Sequence, residues 1–219
     1  MAAAAMQPRT IVTVDPSHRL IEGVASDGRR IWLSSLIDRE ILACASRCKT
    51  LATLPTGLHP FAIAWDGQRK RLWVAADCPP NVPFIRACER GALLAYDTRG
   101  RLKKRILPAV GKFHPGDVSA TDGEIFVSDS QSGAVFMLTS GGRALSTLVL
   151  PGTGKSAQGS AFDAATNRLI ERGDPLLGGV SKGRDEMRRL ELSDEGLQAR
   201  LDSMPQSGGA PQSGSNGAK

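Results

Sequence analysis

Hydrophobic and polar positions along the chain alternate in short runs, and the runs recur as a unit. In each unit a short strand of small and apolar residues leads through a tight turn of Asp, Gly or Asn into a second strand. Four such hairpins occupy residues 22–33, 60–74, 116–127 and 158–170. Asp-Gly between alternating strands is a strong hairpin signal, because both turn positions tolerate positive φ. The pattern therefore predicts repeated antiparallel hairpins.

The hairpins share an apolar anchor in the second strand and are each followed by more strand-like sequence. The anchors Trp32, Trp73, Phe126 and Ile170 are 41, 53 and 44 residues apart. Two further strand-like runs follow each of the first three hairpins, at 40–45 and 50–54, 92–96 and 104–107, and 134–138 and 144–150. Four strands and then a restart are typical of a β-propeller blade, whereas a β-sandwich would not repeat this order. The sequence therefore predicts an all-β fold, a β-propeller with about three and a half blades.

The repeat stops in the middle of a strand after Ile170. Residues 182–201 are highly charged with a thin apolar stripe at helical spacing, and residues 204–219 are rich in Gly, Ser, Gln and Pro. We divide the chain into a leader remnant (1–8), a partial propeller (9–170), a charged and partly helical appendage (171–203) and a disordered tail (204–219). Because domain boundaries seldom interrupt a strand, one interpretation is a reading-frame change or truncation, and the other is a genuine helical appendage.

An incomplete ring has consequences for its ends. Thr10 to Val14 reads as the strand that would close the ring by joining the last blade. With that blade missing we expect an open arc. Its unpaired strand edges would favour self-association.

Composition argues against two classes of partner. Apolar residues make up 41% of the 219 residues and charged residues 23%, and no apolar run reaches the roughly 18 residues that span a bilayer. The net charge of +6 is not gathered into a Lys/Arg block with interleaved aromatics, so we expect a solvated basic surface and no nucleic-acid site. The small residues at the start are similar to the end of a signal peptide but lack its charged region. As written the chain would be cytoplasmic, and we expect an export signal upstream.

The four cysteines fall into two local pairs, Cys44/Cys48 and Cys78/Cys88. A disulfide in the second pair would staple the Pro-rich excursion that it brackets, and such pairing suits an oxidising compartment. A zinc site is the alternative. Neither spacing is C-x2-C, however, and no histidine lies close in sequence. The sequence favours two disulfides.

Three features together resemble a known family. They are Glu22-Gly23 before the first inner strand, the Asp-Gly hairpins, and His114-Pro115-Gly116-Asp117 leading the third hairpin. The combination resembles the senescence marker protein/gluconolactonase/LRE-like propellers, with NHL-repeat and paraoxonase-like propellers as near relatives in pattern. The resemblance covers about residues 10–170 and implies a six-bladed type of ring, a periplasmic or secreted location and a small-molecule substrate.

The resemblance also implies a chemistry at one mouth of the central channel. In that family, carboxylates and amides from several blades hold a divalent metal, calcium or zinc, which polarises a lactone or ester carbonyl. Carried over to this chain, Glu22 and Asp117 are the candidate metal ligands, and His59, His114 and Gln158 occupy mouth positions that would face a substrate. No catalytic residue follows from the resemblance.

The two candidate metal ligands also have a structural interpretation, and so does a third aspartate. Glu22 and Asp117 could serve as loop or hairpin carboxylates that bond neighbouring backbone amides, and Asp129 reads as a cap of the turn after its strand. The leading function is a metal-dependent lactone or ester hydrolase. The alternatives are a non-catalytic propeller that binds a ligand or protein, and a non-functional product of a disrupted coding sequence.

Overall fold

The computed structural model describes residues 10–149, except 80–81, 83, 110, 122 and 140–141. For Val149 and for residues 157–163, 168–173 and 187–191 it describes the backbone alone. The ranges 1–8 and 204–219, assigned above to a leader and a tail, lie outside the described residues.

The described chain is all-β and forms four antiparallel sheets, here called blades 1 to 4. Blade 1 contains β1 (Ile21–Ser26), β2 (Ile31–Ser35), β3 (Glu40–Cys44) and β4 (Cys48–Thr53). Blade 2 contains β5 (His59–Asp66), β6 (Arg71–Asp77), β7 (Ala92–Asp97) and β8 (Leu102–Ile106). Blade 3 contains β9 (Pro115–Ala120), β10 (Ile125–Asp129), β11 (Val135–Leu138) and β12 (Ser146–Val149). Blade 4 contains β13 (Ala157–Asp163), β14 (Arg168–Gly173) and β15 (Met187–Glu191).

The first strand of each blade is the innermost one. β1 lies beside β5, β5 beside β9, and β9 beside β13. Consecutive strands within each blade pair in order, as the hairpin pattern predicts. The result is an arc of radially arranged sheets, three with four strands and the last with three described strands, as in a propeller.

Apolar side chains fill the spaces between blades. Trp32 of blade 1 is completely buried and stacks on Trp65 of blade 2, with ring centroids 4.8 Å apart. Between blades 2 and 3, Phe113 lies edge-on to Phe136 at 5.3 Å and packs in the same cluster as Trp73. Two of the anchors, Trp32 and Trp73, therefore pack between blades, where aromatic rings bury a large apolar area.

The C-terminal part of the described chain differs from the prediction. The helix predicted over 182–201 is wrong at Met187–Glu191, which form β15 and pair with β14. The strand containing Ile170 also continues to Gly173, so blade 4 extends beyond the predicted boundary at 170. A short amphipathic stretch fits either a helix or a strand. As a strand, it satisfies its backbone groups by pairing with the open edge of β14.

The segment predicted to close the ring, residues 10–14, is not a strand. Its Val12 and Val14 instead pack on the face of blade 1 that points away from blade 2, against Leu33 and Leu42. Beside them Val24 remains 67% exposed. Self-association through this side of the arc stays a prediction.

Both predicted disulfides are present, Cys44–Cys48 and Cys78–Cys88. The first joins directly opposed residues of β3 and β4, and the second closes the excursion after β6. Two disulfides point to an oxidising environment. Among the described residues, no helix is long and apolar enough to cross a membrane.

Candidate functional site at the propeller mouth

Polar side chains collect where the innermost strands begin and the second strands end. Antiparallel pairing places His59, at the start of β5, opposite Asp77, at the end of β6. In blade 3 the same pairing places Pro115, which follows His114, opposite Asp129. The two histidines and the two aspartates are each at most 9% exposed. One end of the arc therefore holds two histidines and two carboxylates that the protein largely shields from water.

His114 bridges blade 3 to blade 2. Its Nδ1 lies 3.1 Å from Oδ1 of Asp77, and the two side chains are almost fully buried. Burial raises the pKa of Asp77 to about 6, opposed by the Cys78 backbone N–H and by His114, and reinforced by the charge of Asp129. The pair is thus a carboxyl group and an imidazole in hydrogen-bond contact at a position shielded from water.

His59 makes the corresponding bridge one blade earlier. Its Nδ1 donates to the backbone carbonyl of Leu36 over 2.8 Å. Leu36 follows the anchor Trp32 by four residues, as Asp77 follows Trp73. The two histidines therefore use Nδ1 to hold successive blades together, and a substrate-facing role, which stays a prediction, would fall to their Nε2 atoms.

Asp129 is a turn cap, as the sequence indicates. Its Oδ1 accepts the backbone N–H groups of Gln131 (3.0 Å) and Ser132 (2.8 Å), and its Oδ2 accepts that of His114 (2.7 Å). This aspartate therefore fixes both the turn after β10 and the chain entering β9, which positions His114.

Glu22 lies on β1 with an exposed side chain. Neighbouring protein still removes part of its water, and this desolvation raises the pKa of its carboxyl group. In the described part of the chain, this carboxylate has neither a hydrogen-bond nor an ion-pair partner. It is an unpaired, partly desolvated acid on an innermost strand.

Gly23, the residue after Glu22, allows β1 and β5 to pack closely. The Gly23 N–H donates to Oγ of Ser34 over 2.8 Å. A Cβ at position 23 would lie 2.9 Å from that oxygen and 3.0 Å from the Ile63 nitrogen on β5. Glycine is therefore needed for β1 to lie against β5, and this packing holds Glu22 in place.

The other predicted ligands are dispersed. Asp117 is half-buried on β9 opposite Ser128, and β5 lies between its strand and that of Glu22. Gln158 lies on β13, where the backbone alone is described. Within the described ranges, neither Glu22 nor Asp117 belongs to a converging group of three or more metal-binding side chains. Their assignment as metal ligands stays a prediction.

A different group does converge. Asp77, Cys78 and Cys88 place one donor atom each within 4.8 Å of one another, with both sulfurs joined in the disulfide. Sequence reasoning missed Asp77. The available signal was the run Asp77-Cys78 at the end of an apolar strand, directly before the Pro-rich excursion.

No protein-family model matches the chain, and no curated protein matches it. Solved structures do match the chain. A chain of a nidogen/laminin complex aligns with TM-score 0.56 and 14% identity over 78% of this chain and 65% of that one. The PQQ-bound aldose sugar dehydrogenase from Streptomyces coelicolor aligns with TM-score 0.58 and 15% identity, over 84% of this chain and 62% of the enzyme. The computationally designed Ika4 protein aligns with TM-score 0.57 and 7% identity, over 85% of this chain and all of that one.

At these identities the likeness concerns fold alone. This chain spans less than two thirds of the nidogen/laminin and dehydrogenase chains that it matches. Together with the four radially arranged sheets, the comparisons identify the chain as a β-propeller protein.

Proposed function

We propose that this chain is part of a gluconolactonase-like propeller hydrolase that acts on a lactone or ester and holds a divalent cation at the mouth of the arc. The observation that supports the proposal is the carboxylate of Glu22, which is partly desolvated and lacks a hydrogen-bond or ion-pair partner in the described part of the chain. A carboxylate that has lost part of its water and lacks a partner favours a cation beside it, which would restore the missing interactions.

The donor chemistry fits a hard cation. Glu22 offers carboxylate oxygens on β1, and Asp117 offers them on β9; β5 lies between these two innermost strands. Calcium takes six to eight oxygen ligands, so these two residues would provide part of its coordination. A bound cation of this kind polarises a lactone or ester carbonyl and stabilises the developing oxyanion. The chain's own part would be to supply two of the carboxylate ligands from its innermost strands.

Calorimetric titration with calcium and with zinc tests the cation site. We expect binding that Glu22→Gln weakens at least about tenfold and that Asp117→Asn weakens as well, because each removes a charged oxygen ligand. Glu89→Gln is the matched control, since Glu89 is an exposed glutamate that does not belong to an innermost strand. Binding that ignores the substitutions at both Glu22 and Asp117 would remove the assignment.

The second candidate is a propeller that binds a ligand or protein without catalysis. It is favoured by the histidines at the mouth, whose Nδ1 atoms hold blades together and whose side chains are buried. Assays with a panel of sugar lactones and aryl esters, with the metal present, separate the two candidates. Metal binding without turnover of the panel would support the binding propeller.

The disulfides also support a location for the protein. We propose that it works in a periplasmic or secreted setting, where Cys44–Cys48 and Cys78–Cys88 would persist. Thiol trapping of the protein in its native compartment tests this, and free thiols at all four cysteines would contradict it.

A further inference from the structure

We propose that Asp77, Cys78 and Cys88 form a redox-gated Zn²⁺ site, closed in the disulfide form and opened when the Cys78–Cys88 bond is reduced. This site is separate from the cation position at Glu22 and Asp117. It uses soft sulfur ligands, which select zinc over calcium.

The three donors already converge. Their ligand atoms lie within 4.8 Å of one another, at the end of β6 and the end of the excursion that follows it. Asp77 is 1% exposed and Cys78 is fully buried, while Cys88 is half-buried. The Cys88 N–H donates to the Cys78 carbonyl over 3.0 Å, so backbone as well as sulfur brings the two cysteines together. Reduction therefore does not by itself separate the ligands.

The carboxylate is held in place by its neighbours. His114 Nδ1 lies 3.1 Å from Oδ1 of Asp77, and a Cβ at Gly91 would come within 2.8 Å of that same oxygen. A carboxylate oriented by a buried histidine and enclosed by backbone loses little freedom on binding a metal. Partners of this kind orient ligands in known zinc sites.

The surroundings of Cys88 suit a thiol. Its Sγ lies 3.2 Å from the carbonyl oxygen of Arg90. A thiol donates a hydrogen bond in such a contact, whereas a disulfide sulfur has no proton to donate. The reduced form would therefore have a ready partner at the position that Sγ occupies.

The redox step balances with one dithiol reductant. Two electrons and two protons pass from the dithiol, which closes to its own disulfide, to the Cys78–Cys88 bond, which becomes two thiols. One Zn²⁺ then displaces both thiol protons and bonds to both sulfurs and to the carboxylate of Asp77. The sulfurs would come to lie roughly 3.7 Å apart, since each Zn–S bond in a tetrahedral site is about 2.3 Å.

The other disulfide provides an internal control. Cys44 and Cys48 also come together, on opposed residues of β3 and β4, but no third metal-binding side chain converges on them within the described residues. Reduction of that pair should therefore yield a weaker zinc site. A C44S/C48S variant removes its contribution altogether.

The test compares oxidised and dithiol-reduced protein after anaerobic removal of the reductant. Zn²⁺ binding is measured by calorimetry, and Co²⁺ serves as the spectroscopic probe because thiolate ligands give it charge-transfer absorption. We expect reduced C44S/C48S protein to bind one Zn²⁺ at least about 100-fold more tightly than oxidised protein, with thiolate bands in the cobalt form. Asp77→Asn should weaken the reduced site about tenfold or more.

Several outcomes would overturn the proposal. They are reduced C44S/C48S protein without cobalt–thiolate absorption, equal zinc affinity in the two redox states, and reduced D77N that binds as tightly as its parent. The test compares oxidised and reduced forms of one chain. It therefore does not depend on removing Cys78 and Cys88 by mutation, which could prevent folding. Glu22→Gln should leave the reduced site unchanged, so the failure of this site and that of the proposed hydrolase are distinguishable.

Discussion

The Nδ1 atom of His114 lies 3.1 Å from Oδ1 of Asp77, and this contact joins blade 3 to blade 2. One blade earlier, His59 reaches the carbonyl of Leu36 in the same way. The interfaces between blades therefore combine apolar packing with a directional polar contact at the mouth. In the second interface that contact contains a titratable acid, and this gives the fold a specific dependence on pH.

The Asp77→Asn variant should change how stability depends on pH. Burial is the main cause that raises the pKa of Asp77 to about 6 from an ordinary value of 3.8. Between these values the folded chain retains a proton that the unfolded chain has released, so this group's contribution to stability falls as the pH rises through the window. We expect the melting temperature of the wild type to fall relative to that of the variant as the pH rises from 4 to 6.

Melting curves at several pH values measure this effect. Asp97→Asn is a suitable control, because hydrogen bonds from Arg101 and Arg99, against a smaller opposing effect of burial, lower the pKa of the half-buried Asp97 to about 2. Parallel curves for wild type and D77N across the window would contradict the prediction.

Asp66→Ala should be strongly destabilising. Asp66 is 1% exposed, and its Oδ2 accepts hydrogen bonds from Nη1 of Arg69 (2.6 Å) and Nε1 of Trp73 (3.1 Å). The same arginine donates to the carbonyl of Gly123 in the β9–β10 turn of blade 3. Removing one partner of a buried ion pair leaves the other uncompensated, at a cost of about 3–5 kcal/mol. Urea unfolding measures the loss.

Asp27 provides the matched control for that experiment. It pairs with Arg30 at the same sequence spacing, but the arginine side chain is 48% exposed, against 18% for Arg69. Asp27→Ala should therefore cost much less stability than Asp66→Ala. Equal losses in the two variants would show that burial does not set the strength of the Asp66 pair.

The Gly23→Ala substitution should destabilise the first interface between blades. The new Cβ would lie 2.9 Å from Ser34 Oγ and 3.0 Å from the backbone nitrogen of Ile63, so β1 and β5 must move apart. We expect a loss of about 1–3 kcal/mol, as for other overpacked sites. Gly67→Ala is the control, because the nearest atom to its Cβ is Nε1 of Trp65 at 3.7 Å. Similar losses at both positions would count against the steric explanation.

The Tyr96→Phe variant should retain or gain stability. Tyr96 is 2% exposed, its hydroxyl has no hydrogen-bond partner in the described structure, and burial raises its pKa to about 12. Removing a buried hydroxyl without a partner relieves a desolvation cost of about 1–3 kcal/mol. Trp73→Phe is the contrast, since it removes the donor to Asp66 and should destabilise. A clear loss of stability in Y96F would reveal a partner for the hydroxyl.

The sequence alone predicted the blades because their determinants are local. The alternation of β5, the Asp-Gly turn before Ile125 and the spacing from Trp32 to Trp73 each act within one hairpin or one repeat. The disulfide partners lie four and ten residues apart, so short loops bring each pair together. Asp129 was identifiable as a cap for the same reason, since its partners Gln131 and Ser132 lie two and three residues away.

The tertiary structure alone decided the contacts between blades and the outcome at the C-terminus. Asp77 and His114 are 37 residues apart, and the ring geometry that joins them leaves no periodic trace in the sequence. Met187–Glu191 fitted a helix by local pattern, yet pairing with β14 makes them a strand. Glu22 and Asp117 are candidate ligands by resemblance alone, and the tertiary structure is what places β5 between their strands. Local preference determines strands and turns, but long-range pairing determines which side chains meet, because those contacts depend on how whole sheets pack.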